Sequence, residues 1–111
     1  MLVKRGFLIY DAELDDYRVD ELSTLSILAN ELLLELILSA RAYMKGRLLD
    51  VGCGKRPYSL IYDQLVAQSI GTEVVYSPHG VQAADLICLG EQLPFVDGAF
   101  DTVLCTEVLE H

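Results

Sequence analysis

LLDVGCGKRPY, residues 48–58, decides the fold of this chain because it joins an apolar run to two closely spaced glycines. Residues 48–51 have the composition of a short buried strand, and Gly52 and Gly54 give the backbone the freedom that a tight turn needs. Pro57 is typical of the first turn of a helix. The stretch therefore predicts a strand, a glycine turn and a helix, an arrangement that lets a nucleotide-like ligand approach the backbone closely.

The composition bounds the class of protein. With 111 residues, 52% of them hydrophobic, the chain can form one domain with one core. Its formal net charge is −9; all eight Lys and Arg residues lie at or before Arg56, whereas eight of the seventeen acids follow it. Binding to nucleic acid usually needs a basic face that displaces counterions from phosphates. The charge distribution therefore argues against DNA or RNA as a partner of the C-terminal half.

The cysteines indicate a reducing environment. Cys53, Cys88 and Cys105 are odd in number, far apart and free of any Cys-x-x-Cys pair, and only His79 and His111 could complete a metal site. This pattern argues against a disulfide framework and against a metal centre. We therefore expect a cytoplasmic protein with free, mostly buried thiols.

Neither end of the first 46 residues predicts a targeting or membrane segment. The N-terminal stretch turns acidic quickly and lacks the small-residue cleavage site of a signal peptide. The leucine-rich stretch that follows is interrupted by Glu21, Asn30, Glu31 and Glu35, and a carboxylate at a bilayer centre costs on the order of 3 kcal/mol. We expect no membrane span.

A helix is predicted over residues 20–44, with Asp20 as its N-cap and Gly46 as its C-terminal stop. Apolar residues recur at steps of three and four, and the predicted core stripe consists of Leu22, Leu25, Leu28, Leu32, Leu36 and Ala40. Further leucines and isoleucines widen this stripe, so the helix is expected to pack on two neighbours or to leave apolar surface exposed. Residues 1–46 are interpreted as an N-terminal helical segment.

After Gly46 the pattern changes to short β-prone runs separated by turns. Strands are predicted over 47–51, 69–75, 84–88 and 100–105, with a helix over 57–68 and another that begins at Thr106. Strands that are apolar at nearly every position and separated by crossovers favour a parallel sheet covered by helices. The predicted class is α/β, with a right-handed crossover between the first two of these strands.

An acidic residue is expected about 20 positions after a glycine turn of this kind, at the tip of the second strand, where it accepts hydrogen bonds from ribose hydroxyls. Glu73 follows Gly54 by 19 residues. A dinucleotide fingerprint would also place a third glycine three positions after the second, where this chain has Pro57. A nicotinamide dinucleotide or flavin dinucleotide is therefore the weaker hypothesis.

The segment GEQLPFVDGAFDTVLCTEVLEH, residues 90–111, together with the glycine turn, resembles the class I S-adenosylmethionine-dependent methyltransferases. The resembling branch has an aspartate-glycine turn, a loop ending Leu-Pro-Phe, a Phe-Asp pair and an apolar strand that leads into Val-Leu-Glu-His. The resemblance covers residues 47–111, and several motifs in the same order make it more specific than the glycine turn alone.

The resemblance implies a set of S-adenosylmethionine contacts. Gly52, Cys53 and Gly54 would lie against the methionine portion, with Asp50 beneath the turn, and Glu73 would accept both ribose hydroxyls. The loop would flank the adenine, and the end of the fourth strand would border the methionine end. The residues implied there are Gly90, Glu91, Gln92 and Leu93 in the loop, and Cys105, Thr106 and Glu107 at the strand end.

Two positions depart from the family pattern. Where the family's loop has its third glycine, this chain has Arg56. A subset of relatives with Pro-Tyr after the turn also lacks that glycine. At the position where many relatives have an acid that receives the adenine amino group, this chain has Leu89. Losing that hydrogen bond costs roughly 0.5–1.5 kcal/mol, so we expect weak binding of the cofactor.

No catalytic residue is assigned. His111 could act as a base, His79 is more typical of a turn, and Cys53 could be activated at a helix N-terminus. Methyl transfer often needs only positioning of the nucleophile against the sulfonium methyl group.

The family's fold implies a Rossmann-like three-layer sandwich with sheet order 3-2-1-4-5-7-6, of which residues 47–111 would supply strands 3-2-1-4. This leaves three hypotheses. The first is a methyltransferase acting on a small-molecule, lipid or glycan-type acceptor and incomplete in this chain; the second is a non-catalytic S-adenosylmethionine-binding or interaction module; the third is a nicotinamide-dinucleotide-binding fragment. The open edge of the fourth strand and the N-terminal helix also predict a homodimer.

Overall fold

The computed structural model describes residues 1–20, 27–78, 80–88 and 93–106. A short 3-10 helix, Arg41–Tyr43, follows the first α-helix. The elements in chain order are β1 Leu2–Arg5, β2 Leu8–Asp11, β3 Asp16–Val19, α1 Ile27–Ser39, β4 Arg47–Val51, α2 Ser59–Tyr62, β5 Gln68–Glu73, β6 Leu86–Ile87 and β7 Thr102–Cys105.

The first nineteen residues form a three-stranded antiparallel sheet, in the order β1–β2–β3, rather than part of a helical segment. Gly6, with φ of +58°, makes the turn between the first two strands. Asp11 makes the second turn, because its carboxylate accepts the backbone N–H groups of Glu13 and Leu14. Each strand is only four residues long and carries charged side chains, which hid the alternating pattern of a strand.

Helix α1 is shorter than the predicted helix, and residues 21–26, which include Leu22 and Leu25, lie outside the described residues. Asp20 donates its backbone N–H to the Phe7 carbonyl and so continues the β pairing. At the other end the helix stops at Ser39 rather than at Gly46. Gly46 instead has φ of +62° and leaves room for the Asp101 side chain beside β4.

The predicted core stripe of α1 was wrong for its three central leucines. Leu28, Leu32 and Leu36 are 71%, 56% and 66% exposed, and Ala40 is half-buried. The buried side chains are instead those of Asn30, Leu34 and Ile37. Because apolar residues occupy every side of the helix, periodicity could not select the face that packs on β3. The expectation that α1 leaves apolar surface exposed is confirmed.

The second sheet is parallel, in the order β6–β5–β4–β7, which confirms the α/β class. Strand β4 has the predicted bounds, whereas β6 is reduced to two residues and β7 begins two residues late. Helix α2 has one turn where a helix over 57–68 was predicted. Beyond it the chain turns back, and the N–H groups of Ala67 and Gln68 reach the Gly46 carbonyl at the start of β4.

One apolar core joins the antiparallel sheet to the parallel sheet through the two helices. Phe7 packs edge-on against Tyr58, with ring centroids 5.8 Å apart, and Arg5 donates to Ser59 Oγ and pairs with Asp63. The buried core residues are Leu8, Val19, Leu34, Ile37, Met44, Leu48, Tyr58, Leu60, Ile61 and Tyr62. None of the described helices is long and apolar enough to cross a bilayer.

Candidate functional site

The glycine turn follows the carboxyl end of β4 and has an unusual backbone conformation. Gly52, Gly54 and Arg56 have φ values of +70°, +56° and +59°, so every second residue lies in the left-handed region. Glycine adopts this region without a Cβ penalty, whereas an arginine there is strained. The turn continues the sheet, because the Cys53 N–H donates to the Thr72 carbonyl at 2.9 Å.

Protein acceptors already hold several N–H groups of this turn. The Gly54 N–H donates to Glu73 Oε2 at 2.8 Å, and the Arg56 N–H donates to the Cys53 carbonyl at 2.7 Å. With the Cys53 N–H also bonded, these donors are not free for a phosphate. The helix that follows has a single turn, so its dipole adds little to anion binding.

Glu73 is the last residue of β5 and lies against the glycine turn, at the strand tip where the sequence predicts it. Its side chain is 7% exposed. Besides the Gly54 N–H, its carboxylate accepts the Val74 N–H at Oε1, at 2.9 Å. A carboxylate offers about four lone-pair sites, so acceptor capacity remains for hydroxyl donors of a ligand.

Asp50 lies in β4 beneath the turn and is 1% exposed. Its Oδ2 accepts the Tyr62 hydroxyl at 2.8 Å, while its Oδ1 is buried and has no hydrogen-bond partner among the residues that the structure describes. Burial raises the pKa of Asp50 to about 6, and the nearby Glu73 carboxylate adds to the rise, whereas Tyr62 and Arg56 oppose it. Two carboxylates under one turn give the site a negative character that suits a cationic ligand.

Cys53 lies within the turn and is 4% exposed. Burial, reinforced by the Asp50 charge, raises the pKa of its thiol to about 12. The thiol therefore stays protonated at neutral pH and cannot act as the activated nucleophile considered from the sequence.

A polar cluster around Arg56 was not anticipated from the sequence. The guanidinium donates to Tyr62, Ser69 and Asp85, and Tyr62 in turn donates to Asp50. The same surroundings raise the pKa of Tyr62, through burial and the Asp50 charge. The partners lie up to 29 residues apart in the chain. The one related signal in the sequence is that Arg56 stands where the family pattern has a glycine.

The remaining predicted site residues are less well defined. Leu93 and Thr106 are half-buried at the two ends of the segment that leads through β7. Gly90, Glu91, Gln92 and Glu107 lie outside the described residues, as do Leu89 and both histidines. Within the part of the chain that the structure describes, no group of His, Cys, Asp and Glu side chains is arranged to hold a metal ion.

Comparison with known proteins gives one result. A family model described as a methyltransferase domain matches residues 49–111, from the second residue of the LLDV strand to the last residue of the sequence. The match spans more than half of the 111 residues and includes the glycine turn, Glu73 and β7. No curated protein and no solved structure gives a significant match.

Proposed function

Because the chain belongs to the class I S-adenosylmethionine-dependent methyltransferase family, we propose that its glycine turn binds S-adenosylmethionine for methyl transfer to a small-molecule, lipid or glycan-type acceptor. Members of this family generally bind that cofactor. When bound, the cofactor would supply a sulfonium methyl group for transfer to the acceptor's nucleophile, with S-adenosylhomocysteine as the leaving group.

The observation that carries the proposal is the contact between Glu73 and Gly54. It joins the turn to the tip of β5, which supports a ribose site at the Glu73 carboxylate beside a site for the methionine portion at the turn. Glu73 accepts the ribose hydroxyls with its remaining lone pairs. The Asp50 carboxylate beneath the turn, whose Oδ1 has no hydrogen-bond partner among the described residues, adds a negative charge that favours a cationic group such as the cofactor's ammonium.

The same geometry argues against a nicotinamide dinucleotide. Its pyrophosphate needs free backbone N–H groups and a helix dipole at the turn. Here Cys53, Gly54 and Arg56 have their N–H groups bonded within the protein, and two buried carboxylates repel an anion. The hypothesis of a non-catalytic module shares the cofactor site with the enzyme hypothesis, and only a turnover assay with candidate acceptors separates the two.

Other parts of the site follow the same proposal. Residues 90–93 would flank the adenine, and Cys105, Thr106 and Glu107 would border the methionine end; of these, 90–92 and 107 lie outside the described residues. The parallel sheet corresponds to strands 3-2-1-4 of the seven-stranded family sheet. Strands five to seven of that sheet have no counterpart among the described residues, and acceptor-binding groups belong largely to those strands.

The test is calorimetric titration with S-adenosylhomocysteine, S-adenosylmethionine and NAD. Glu73→Gln, which keeps the shape of the side chain and removes its charge, should weaken binding of S-adenosylhomocysteine by about 1.5–3 kcal/mol. The matched control is Glu35→Gln, at an exposed position on α1, which should leave affinity unchanged. Equal effects of the two substitutions, or tighter binding of NAD than of S-adenosylhomocysteine, would contradict the proposal.

A second copy of the chain is the partner that we propose for the leucine stripe of α1, formed by Leu28, Leu32 and Leu36. These residues are spaced by four, lie on one side of the helix and are all more than half exposed. Two such stripes can pair about a two-fold axis without any change of fold. Strand β7 pairs only with β4 in the described sheet, so its other edge is the alternative contact.

A further inference from the structure

The Arg56 guanidinium connects four segments of the chain. Its Nε donates to the Tyr62 hydroxyl at 2.9 Å, and its Nη2 donates to Ser69 Oγ at 2.8 Å. Its Nη1 donates to Asp85 Oδ2 at 2.9 Å and to the Ala83 carbonyl at 3.4 Å. We call these five residues the Arg56 clamp. They tie the glycine turn to α2, to β5 and to the loop before β6.

The surroundings leave a place for this side chain. A Cβ atom on Gly71 would lie 3.2 Å from Arg56 Cζ and 3.0 Å from Cys53 Sγ, so the guanidinium packs where β5 has no side chain. Asp85 is fixed to the same glycine, because its Oδ2 also accepts the Gly71 N–H at 2.8 Å and its own N–H donates to the Gly71 carbonyl.

The clamp has a cost that ordinary packing does not explain. Arg56 adopts φ of +59°, a conformation that disfavours residues with a Cβ, and its side chain is only 16% exposed. A glycine at this position would relieve the backbone but remove all four guanidinium contacts. The strain is therefore balanced by the network that the side chain makes.

We propose that Arg56 is a positioning residue that holds the glycine turn and the Glu73-bearing strand β5 at the spacing the cofactor requires. The inference rests on the proposed function of the turn. Three links then join the turn to β5: the Cys53 N–H to the Thr72 carbonyl and the Gly54 N–H to Glu73 at the strand end, and the Arg56 guanidinium to Ser69 near its start. Without the Ser69 link the turn is held to β5 only at the strand end, and the spacing of Gly52 and Gly54 from Glu73 is no longer fixed from both ends of the strand.

The first experiment compares Arg56→Ala with Lys55→Ala by calorimetric titration of S-adenosylhomocysteine into the full chain. Lys55 is the exposed neighbour on the same turn, so its substitution removes a positive charge without touching the clamp. Arg56→Ala should weaken binding on the order of tenfold, and Lys55→Ala should leave it unchanged. Unchanged affinity in folded Arg56→Ala would overturn the proposal.

A double-mutant cycle with Asp85→Ala separates positioning from a general loss of structure. If both residues act through one clamp, Arg56→Ala combined with Asp85→Ala should weaken binding little more than either change alone. Arg56→Lys keeps the charge but cannot form the planar fork of contacts, so it should bind as weakly as Arg56→Ala. Losses that add fully in the double variant, or full affinity in Arg56→Lys, would refute the clamp.

A readout without ligand distinguishes failure of the clamp from failure of the proposed function. Cys53 Sγ lies against Gly71 under the clamp, whereas Cys88 is half-buried and Cys105 is exposed. Titration of thiols with 5,5′-dithiobis-(2-nitrobenzoate), with the sites located by mass spectrometry, should show Cys53 protected in the parent chain. It should react faster in Arg56→Ala and Arg56→Lys under native conditions, but not in Lys55→Ala. A parent chain that protects Cys53 yet binds no S-adenosylhomocysteine refutes the function alone; equal protection in all variants refutes the clamp.

Discussion

The antiparallel sheet and the carboxyl edge of the parallel sheet are stabilised in opposite ways. The antiparallel sheet buries Leu8 and Val19 and exposes its basic side chains, as at Arg5 and Arg18, which are 45% and 46% exposed. The carboxyl edge buries Asp50 and Glu73, which are 1% and 7% exposed. Buried carboxylates cost stability unless they are compensated, and such groups cluster at functional sites. The antiparallel sheet therefore stabilises the fold, whereas the carboxyl edge of the parallel sheet lowers stability at the candidate site.

The largest effect is expected in the antiparallel sheet. Leu8 is fully buried in the core shared by both sheets, so Leu8→Ala should lower the free energy of unfolding by about 2–5 kcal/mol. Urea denaturation followed by circular dichroism measures this change. Leu14→Ala, at a position 70% exposed, is the control and should change stability by less than about 0.5 kcal/mol. A small effect of Leu8→Ala would mean that the antiparallel sheet contributes little to the fold.

At the carboxyl edge, substitution should instead stabilise the protein. The pKa of Asp50 is raised from 3.8 to about 6 in the folded state, so the folded protein holds this proton more tightly than the unfolded chain. Its contribution to stability is therefore present at low pH and is lost as the pH rises from 3.8 through 6, by up to about 3 kcal/mol.

Asp50→Asn removes this titration and keeps an acceptor for the Tyr62 hydroxyl. The variant should be more stable than the parent at pH 7 and nearly equal to it at pH 4 in urea denaturation. Asp97→Asn, at an exposed position, is the matched control and should not change the difference between the two pH values. A variant less stable than the parent at pH 7 would show that the ionised Asp50 is compensated by contacts beyond those described.

The same contrast explains what the sequence could predict. Strand β4 was predicted with its exact bounds because a buried apolar run ends at a glycine turn, a signal confined to a few neighbouring residues. Glu73 was predicted at the tip of β5 because strand and crossover lengths fix its distance from the turn. The contact between Arg56 and Asp85 joins residues 29 apart and leaves no local pattern. Its partners could be identified only from the fold.

The prediction for the N-terminal region was wrong for a different reason. Strands β1 to β3 are four residues each, and pairing within a hairpin rather than hydrophobic alternation sets their bounds. In α1, Leu28 and Leu34 have the same hydrophobicity, yet Leu28 is 71% exposed and Leu34 is 6% exposed. Hydrophobicity alone cannot predict which of two leucines is buried. The buried face of α1 is determined by the elements that pack against it.

The smallest effect on the stability of the monomer is expected at the leucine stripe of α1. Changing all three leucines to Gln should alter the free energy of unfolding by no more than about 0.5 kcal/mol per position, because the side chains are already largely in water.

Self-association, in contrast, should depend strongly on these three leucines. The parent chain should form dimers at micromolar concentration, more of them at high salt, since the exposed Glu31 and Glu35 beside the stripe repel across a two-fold axis and salt screens them. Light scattering coupled to size exclusion measures the mass, and the triple variant should elute as a monomer.

The control changes three scattered exposed residues, Leu14, Val75 and Val96, to Gln and should leave the dimer intact. A parent chain that stays at 12.3 kDa over this range of concentration and salt would contradict the proposed dimer, and a dimer lost only in Val103→Lys would move the contact to the free edge of β7.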